Sequence, residues 1–459
     1  MTTFISALVA AFVLLAAQPL AVQAEPMPTD ADLAALRDAR FGLFIHWGLY
    51  SILGGRWKGE TMAGPEAELA GDRFAEWAQS YFMIPTCEYA PLARAFNPVL
   101  FDADDWARRA KDAGVEYVVL TAKHHDGFAL FATQASDFNI VDATPFGRDV
   151  FRELSDACRR HGLKVGAYYS QHLDWHEADA GDPDHAAFGL VKGRRHWGNC
   201  WEFTDFAAKD FGRYFKGKVF PQVRELLTNY GDIFLVWFDT STGMTADQSR
   251  ALREHVRRLS PHTLVNSRIG NGCGDYLSMG DNELVTNRCE IVRESAMTLN
   301  ETWGFRYDDH SWKSPYAVAL ILAQNLSRNA NVLLNVGPRP DGRFPDATCD
   351  ILADLGAWRR RTGFSIHGVR PNPFKEEFPW GWCMLASGNV LQLVLTRDWT
   401  GDIVLKGITN RVLAASADVR QTGETLHVSP SRAPDLMPRV VRITLEGELS
   451  MTKEQEKRR

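Results

Sequence analysis

The residues best suited to chemistry follow apolar stretches of the sequence, where buried strands are predicted to end. His124 and His125 stand side by side in KHHDG, shortly after the apolar run VEYVVL. His46 follows FGLFI in the same way, and Asp239 ends the run IFLVWFD. Because the carboxyl ends of barrel strands meet at one face, these groups are expected to converge there.

Two kinds of site use imidazoles and carboxylates at strand ends. A metal site needs three or four ligands within about 2.0–2.2 Å of one ion. Neighbours on a strand point to opposite faces, so the paired histidines suit a metal site poorly. A site for a neutral polyol needs uncharged or cationic hydrogen-bond donors and an aromatic platform. The tyrosine, arginine and tryptophan residues near other predicted strand ends favour a polyol site, in which two carboxylates perform the reaction.

Asp239 is the best candidate for a reacting carboxylate. The apolar strand before it would hold it rigidly at the mouth of a barrel. An Asp after a strand also commonly caps the following helix. The sequence taken alone leaves both interpretations open.

Helix and strand patterns alternate from about residue 35 to residue 340. One predicted helix begins at the N-cap Asp102 and ends at Gly114. At least six apolar strands separated by helices indicate a parallel sheet covered on both sides. A closed (β/α)8-like barrel fits this length better than a doubly wound sheet, since no GxGxxG or P-loop follows the first strand. Further helices are predicted near residues 207–229, 246–259 and 315–329.

After about residue 365 the pattern changes to an alternation with a period of two residues. Leu391, Leu393 and Leu395 alternate with other residue types, and turn residues punctuate the stretch. This pattern indicates a C-terminal antiparallel β-sandwich. The predicted domains are a catalytic α/β barrel over residues 25–362, the sandwich over 363–450 and a polar tail over 451–459.

The N-terminus resembles a secretory signal peptide. Residues 4–20 are apolar, and the small residues of AVQA precede a predicted cleavage after Ala24, which assigns residues 1–24 to the signal. No Lys or Arg precedes the apolar run, so a retained anchor stays an alternative. No later segment is apolar and long enough to span a bilayer. The mature chain is therefore predicted to be exported and free of the membrane.

Composition excludes some functions and leaves others open. The formal charge of −6 gives no basic surface for nucleic acid. The 14 tryptophans suit a carbohydrate ligand or a large core equally well. The 7 cysteines include no CxxC pair, which disfavours structural zinc. One or two disulfides could form in an oxidising compartment, and Cys158 is predicted to be a buried thiol on the apolar face of a helix.

An ordered set of motifs resembles the α-L-fucosidases of glycoside hydrolase family 29. The set is RFGLFIHWGLYS, EWAQSYF, YVVLTAKHHDGF, VGAYYS, VWFDT, NSRIG, ETWGF and LLNVGP, and it covers roughly residues 35–340. The resemblance implies an irregular (β/α) barrel followed by a β-sandwich. It also implies hydrolysis of terminal α-L-fucose with retention, no metal or other cofactor, and fucosylated oligosaccharides or glycoconjugates as partners.

The resemblance also implies roles for individual residues. Asp239 matches the nucleophile of the family. His124 and His125 match donors to sugar hydroxyls, and a kink at the strand end is required for both to face the site. Trp303 matches an aromatic that meets the C5-methyl side of fucose. The remaining residues that match the fucose-binding set are His46, Glu76, Trp77, Tyr169, Trp237 and Arg268.

The acid/base is expected in GDYLSMGDNELVTN, after the NSR strand. Asp281 and Glu283 are two residues apart and can face one side of an extended segment, so they rank equally. Glu294 is a third candidate and better suited to a supporting role. Relatives commonly carry a Thr-Pro-like pair before a Glu in this region and a Trp before the later Glu. This sequence has neither, so the choice stays open.

The favoured function is an exo-acting α-L-fucosidase that works by retaining double displacement. A fucose-binding protein without turnover would need the same sugar-binding residues and is the main alternative. A metal-dependent barrel hydrolase is a further, weaker alternative. The sequence does not determine the preferred linkage or whether the chain forms a homo-oligomer.

Overall fold

The computed structural model of the protein describes residues 28–63, 73–181, 198–374, 376–431 and 436–452. The predicted signal peptide, residues 1–24, and most of the predicted polar tail lie outside these ranges. Within them, no helix combines the length and apolar character that a membrane span requires.

The N-terminal part of the described chain is a barrel of parallel strands surrounded by helices. Its strands are β1 (Phe41–Ile45), β2 (Arg56–Trp57), β3 (Glu60–Thr61), β4 (Tyr117–Lys123), β5 (Lys164–Ser170), β6 (Leu235–Asp239), β7 (Leu264–Val265), β8 (Leu277–Ser278), β9 (Arg293–Thr298) and β10 (Ala330–Val336). The α-helices are α1 (Asp30–Ala39), α2 (Tyr50–Leu53), α3 (Ala78–Tyr81), α4 (Thr86–Tyr89), α5 (Ala103–Ala113), α6 (Val150–Arg160), α7 (Phe211–Tyr214), α8 (Phe220–Asn229), α9 (Ala246–Leu259), α10 (Pro315–Ser327) and α11 (Asp346–Thr362).

Eight of these strands form one parallel sheet in the order β7-β6-β5-β4-β1-β10-β9-β8, and β2 pairs with β3 in a separate hairpin. A single parallel bridge between Asn266 and Tyr276 joins the segments that flank the two end strands. The sheet therefore curls into the predicted barrel, with a weakly paired seam between β7 and β8.

The helices follow local sequence signals. Asp102 caps α5 by accepting a hydrogen bond from the Asp105 amide, and Gly114 ends the helix with a φ of 90°, as the sequence predicts. The helix expected near 207–229 is interrupted. Pro221 has no N–H to donate, and a π-helical turn over Phe215–Val219 precedes α8.

Side chains alternate across the barrel wall. Phe44, Tyr117, Tyr168 and Trp237 point inward and fill the barrel together, while intervening residues pack against the helices. Gly42 leaves room for this filling, because a Cβ there would lie 2.4 Å from the Tyr117 ring. The large rings form a floor beneath the carboxyl ends of the strands.

The C-terminal part forms the predicted β-sandwich. Its strands are β11 (Gly381–Ala386), β12 (Val390–Leu395), β13 (Ile403–Lys406), β14 (Val412–Ala415), β15 (Asp418–Thr422), β16 (Thr425–Ser429) and β17 (Arg439–Leu445). They form antiparallel sheets of order β11-β12-β17-β14 and β13-β16-β15, which share one apolar core. The outer face of β11 and β12 packs against the barrel through Met384, Ala386, Val390 and Val394. Met451, expected in the polar tail, is buried and pairs with Ile408.

The one or two disulfides that the sequence allows are not formed in this structure, in which all seven cysteines are free thiols. They lie on separate elements, for example Cys158 on α6 and Cys349 on α11. Cys158 is fully buried, as the apolar face of its helix predicts.

Candidate active site

A cavity of about 390 Å³ opens at the carboxyl ends of the barrel strands. Its floor is made of Phe44 and Trp237, and polar side chains from successive strand ends form its walls. Most of the predicted site residues meet here. The lining residues are Phe44, His46, Glu76, Trp77, His124, His125, Tyr168, Trp237, Asp239, Thr240, Ser241, Thr242, Ser267, Arg268, Asp281 and Trp303.

Both adjacent histidines face this cavity because the strand before them is irregular. The pairing of β4 with β5 shifts register between Thr121 and Lys123, where β4 ends. His124 and His125 then turn to the same side, with their ring centroids 4.2 Å apart. The chain thus has the strand-end kink that two neighbouring histidines in one site require.

Asn335, at the end of β10, fixes two of the lining residues and was missed by the sequence reasoning. Its amide Nδ2 donates to the Trp303 carbonyl at 2.7 Å, and its Oδ1 lies 2.6 Å from His46 Nδ1. His46 therefore donates from Nδ1 and presents an unprotonated Nε2. The available signal was an Asn inside the apolar strand LLNVGP.

The cavity histidines are neutral. Burial lowers the pKa of His46 to about 3 and that of His125 to about 4, although Asp239 opposes both shifts. Burial also lowers the pKa of His124 well below its usual value. Ser170 donates its proton to the Leu173 carbonyl and accepts from His125 Nδ1 at 2.7 Å.

Asp239 occupies the centre of the site. Its Oδ2 accepts from the Tyr168 hydroxyl at 2.9 Å, and its Oδ1 accepts from Arg268 Nη1 at 3.0 Å and from the Thr240 amide at 2.9 Å. Thr240 reaches this position with a φ of 54°, which is strained for a β-branched residue. Thr245, rather than Asp239, caps the following helix α9.

The environment of Asp239 favours its ionised form. Burial alone would raise the pKa of this carboxyl, but the charge of Arg268 and the hydrogen bonds from Arg268 and Tyr168 outweigh burial and lower it. His125 Nε2 lies 3.6 Å from Asp239 Oδ2. The carboxylate is 15% exposed, so it is open to a ligand in the cavity.

Arg268 links two carboxylates across the barrel seam. Its Nη1 donates to Asp239, while its Nη2 donates to Asp281 Oδ1 at 2.5 Å and to the Met279 carbonyl at 3.0 Å. The guanidinium lies over the Trp237 ring, 4.7 Å from its centroid. Although burial opposes it, the two carboxylates raise the pKa of Arg268, so the cation persists.

Glu294 lies beneath the floor and does not line the cavity. Its Oε1 accepts from Trp237 Nε1 at 2.8 Å, and its Oε2 accepts from the Tyr117 hydroxyl at 2.5 Å. Burial raises the pKa of Glu294 to about 7, against the lowering effect of these hydrogen bonds. Glu294 thereby fixes the indole on which Arg268 rests.

Glu76 and two tryptophans complete the walls. Glu76 is buried and accepts from the Gly304 amide at 2.8 Å. Burial raises its pKa to about 8, so it is protonated at neutral pH. Trp77 packs edge-on against His125, with centroids 5.0 Å apart, and Trp303 lies 5.3 Å from the His46 ring.

Besides Glu294, two more predicted residues do not reach the cavity. The Tyr169 hydroxyl donates to Gln222 Oε1 at 2.7 Å in the core between barrel and helices, and its neighbour Tyr168 lines the site instead. The choice of Tyr169 is corrected, because alternation along β5 sends only one of the two tyrosines inward. Glu283 is exposed and accepts from the Gly280 amide, so of the two equal candidates Asp281 alone lines the cavity.

This arrangement is suited to a double displacement on a neutral ring. An ionised carboxylate, a second carboxylate held by the same guanidinium, neutral imidazoles and indole faces surround a space open on one side. Retaining glycosidases use two carboxyl groups about 5–5.5 Å apart. Attachment to one guanidinium keeps the two carboxylates close together.

Comparisons with known proteins agree with this site. The family model described as Alpha-L-fucosidase matches residues 15–363. A putative alpha-L-fucosidase of Caenorhabditis elegans is 30% identical over 75% of this chain and 68% of its own length. The structure of an alpha-L-fucosidase from Vibrio sp. strain EJY3 superimposes with a TM-score of 0.83 at 30% identity, covering 93% of this chain and 75% of the other.

A further solved structure contains a ligand. The alpha-L-fucosidase of Lactobacillus casei, in complex with alpha-L-fucose product, is 40% identical, with a TM-score of 0.67 over 73% of this chain and 99% of the other. The family match spans the whole barrel, including every strand end that lines the cavity. This chain therefore belongs to the alpha-L-fucosidase family of glycoside hydrolases.

Proposed function

We propose that this chain removes terminal α-L-fucose from fucosylated oligosaccharides or glycoconjugates, as an exo-acting and retaining hydrolase with Asp239 as the nucleophile. The observation that carries the proposal is the state of Asp239. It is an ionised carboxylate, open to a cavity of sugar-binding character and oriented by Arg268, Tyr168 and the Thr240 amide.

In the first step, an Asp239 oxygen attacks C1 of the fucosyl unit and the bond to the leaving oxygen breaks. Asp281, in its protonated form, gives its proton to that oxygen and becomes the carboxylate that Arg268 holds. In the second step, water attacks C1, Asp281 accepts the proton of the water, and Asp239 is released. Both steps invert C1, so the product retains the α configuration.

Asp281 is our choice for the acid/base because it lines the cavity and shares Arg268 with the nucleophile. Glu283 faces away, and Glu294 is covered by Trp237. Arg268 fixes the relative position of both reacting groups. Glu294 supports Arg268 through the Trp237 indole, over which the guanidinium lies. This division leaves one carboxylate for each chemical role.

The remaining lining residues bind the sugar. The imidazoles of His46, His124 and His125 meet hydroxyl groups, and the protonated Glu76 adds a neutral carboxyl group. Trp303 offers an apolar face to the C5-methyl group of fucose. The solved structure of the Lactobacillus casei relative with alpha-L-fucose product supports fucose as the ring bound here.

We also infer export of the mature chain, from the signal-like residues 1–24. An exported fucosidase would meet fucosylated glycans outside the cytoplasm, which is consistent with the proposed substrates. Measuring the N-terminal residue of the secreted protein tests this inference, and a start at Glu25 is expected.

The experiment that tests the function compares release of 4-nitrophenol from its α-L-fucoside by the wild type and by Asp239→Ala. We expect turnover by the wild type, with α-L-fucose as the first product by NMR. Asp239→Ala should be inactive, and azide should restore turnover by attacking C1 directly to give β-L-fucosyl azide. Unchanged activity of Asp239→Ala would overturn the nucleophile assignment.

The acid/base is tested with a matched pair, Asp281→Ala and Glu283→Ala. In Asp281→Ala, azide should intercept the covalent intermediate and give α-L-fucosyl azide, while Glu283→Ala should behave as the wild type. The reverse result would reassign the role to Glu283. If the wild type released no nitrophenol but bound free fucose in a titration, the chain would be a fucose-binding protein without turnover.

A further inference from the structure

A second and larger cleft, of about 580 Å³, lies where the barrel meets the β-sandwich. Its barrel side is formed by residues that precede β9 and β10, including Arg288 and Arg328. Its other side is formed by the segment that leads into β11 and by β11 itself. The cleft is therefore at the amino-terminal end of the barrel strands, opposite the active site.

Aromatic side chains provide the apolar part of this cleft. Phe378 and Trp382 line the cleft. Phe378 stacks on the buried Trp380, with centroids 4.6 Å apart and planes at 19°. Trp382 is partly exposed. Within the described ranges, no aromatic ring stacks on Trp382, and no residue accepts a hydrogen bond from its Nε1. The indole packs partly against the barrel core, and its exposed part lines the cleft with an Nε1 donor.

Polar side chains of both signs surround these rings. Arg328 pairs with Glu377, and Arg288 donates to the Asn372 carbonyl at 3.2 Å. Glu376 is exposed and has no ion-pair partner within the described ranges. Of the residues that the structure describes, two arginines and three glutamates line the cleft, and these show no excess of positive charge for an anion.

We propose that this cleft is a second glycan-binding site, which takes neutral pyranose residues of an oligosaccharide. The apolar face of such a ring packs on an indole, and its hydroxyls need donors and acceptors in similar number, which the guanidinium and carboxylate groups provide. Ligand sites occur preferentially at domain interfaces of this kind.

The position of the cleft determines what such a site does. β10 runs the length of the barrel between the two ends, and its seven residues span about 20 Å at roughly 3.3 Å per residue. A disaccharide cannot reach from the cleft to Asp239. The site therefore holds a different branch of a multivalent glycoconjugate and raises the local concentration of substrate. This consequence rests on the proposed function, whereas the binding itself does not.

The test is affinity electrophoresis of the full chain through gels that contain mucin treated with mild acid. This treatment removes fucose and sialic acid, so the probe has no ligand for the active site. We expect the wild type to be retarded relative to gels without mucin. Trp382→Ala should lose at least about two-thirds of the retardation, because one aromatic contact contributes binding free energy of about that order.

Trp399→Ala is the matched control, because Trp399 is also partly exposed on the sandwich but donates to the Gly401 carbonyl and lies outside the cleft. It should be retarded as strongly as the wild type. If Trp382→Ala does not fold, as judged by thermal melting, Glu376→Ala at an exposed position replaces it in the test. This variant should also be retarded less than the wild type.

Three outcomes would overturn the proposal: no retardation of the wild type, equal retardation of Trp382→Ala, or equal loss in Trp399→Ala. Because the probe carries no fucose, none of these outcomes affects the assignment of Asp239. Conversely, an inactive wild type would leave the binding result intact.

Discussion

Removing the hydroxyl of Tyr168 should change the pH dependence of kcat/KM. The Tyr168 hydroxyl donates to Asp239 Oδ2 at 2.9 Å, and this hydrogen bond helps to lower the pKa of the nucleophile. In Tyr168→Phe the ring remains stacked beside Trp237 and His124. The substitution therefore isolates the hydrogen bond from the packing.

The size of the effect follows from the charge of the acceptor. A hydrogen bond to a charged group contributes about 1.5–3 kcal/mol, and about 1.4 kcal/mol corresponds to one pH unit in the midpoint of a titration. Loss of the donor favours the protonated carboxyl. The acidic limb of the kcat/KM profile should therefore move to higher pH by about one to two units, with a smaller change on the neutral plateau.

The assay is kcat/KM for the 4-nitrophenyl fucoside from pH 3 to pH 9, which reports groups of the free enzyme. Tyr169→Phe is the control, since the Tyr169 hydroxyl donates to Gln222 in the core. Its acidic limb should coincide with that of the wild type, while its melting temperature falls. A shifted limb in Tyr169→Phe and an unshifted limb in Tyr168→Phe would refute this account of the nucleophile.

Two further predictions concern the other buried carboxyls. Glu294→Leu leaves Trp237 Nε1 and the Tyr117 hydroxyl without acceptors, at about 1–3 kcal/mol each. We expect a lower melting temperature, and a fall of at least about tenfold in kcat/KM because the Trp237 indole under Arg268 is no longer held. A variant that melts at lower temperature but keeps full kcat/KM would contradict this supporting role of Glu294. The pKa of Glu76 is raised to about 8 in the folded chain, so the folded state holds an extra proton and loses stability as pH rises from about 4.3 to 8. Glu76→Gln removes this pH-dependent loss of stability, so its melting temperature should fall less than that of the wild type between pH 5 and pH 8. Parallel melting curves against pH would count against a buried protonated Glu76.

The architecture could be predicted because its signals are local and repeated. Apolar strands alternating with capped helices predicted the barrel, and the alternating leucines of β12 predicted the sandwich. The helix α9, expected over residues 246–259, occupies Ala246–Leu259. The broken helix before β6 was missed, because the effect of Pro221 on the preceding turn depends on how the chain packs.

Details of the site were harder to predict, because they depend on the phase of a strand. In KVGAYYS both tyrosines follow apolar residues on a strand buried on both faces, so composition does not indicate which one points inward. Asp281 and Glu283 would face the same side of an extended segment, and they are separated by a turn in which the Glu283 amide donates to the Gly280 carbonyl. Asn335 was missed because a polar residue inside an apolar strand shows its partners, Trp303 and His46, only after folding.

The neutral histidines of the cavity have a practical consequence for engineering. Burial lowers the pKa of His46 to about 3 and that of His125 to about 4, so these imidazoles present the same hydrogen-bonding pattern to the sugar at mildly acidic and at neutral pH. Substrate recognition and reaction acidity are therefore controlled by separate groups of residues. An engineer can move the pH optimum through the Tyr168 hydroxyl and leave the imidazoles that meet the sugar hydroxyls intact.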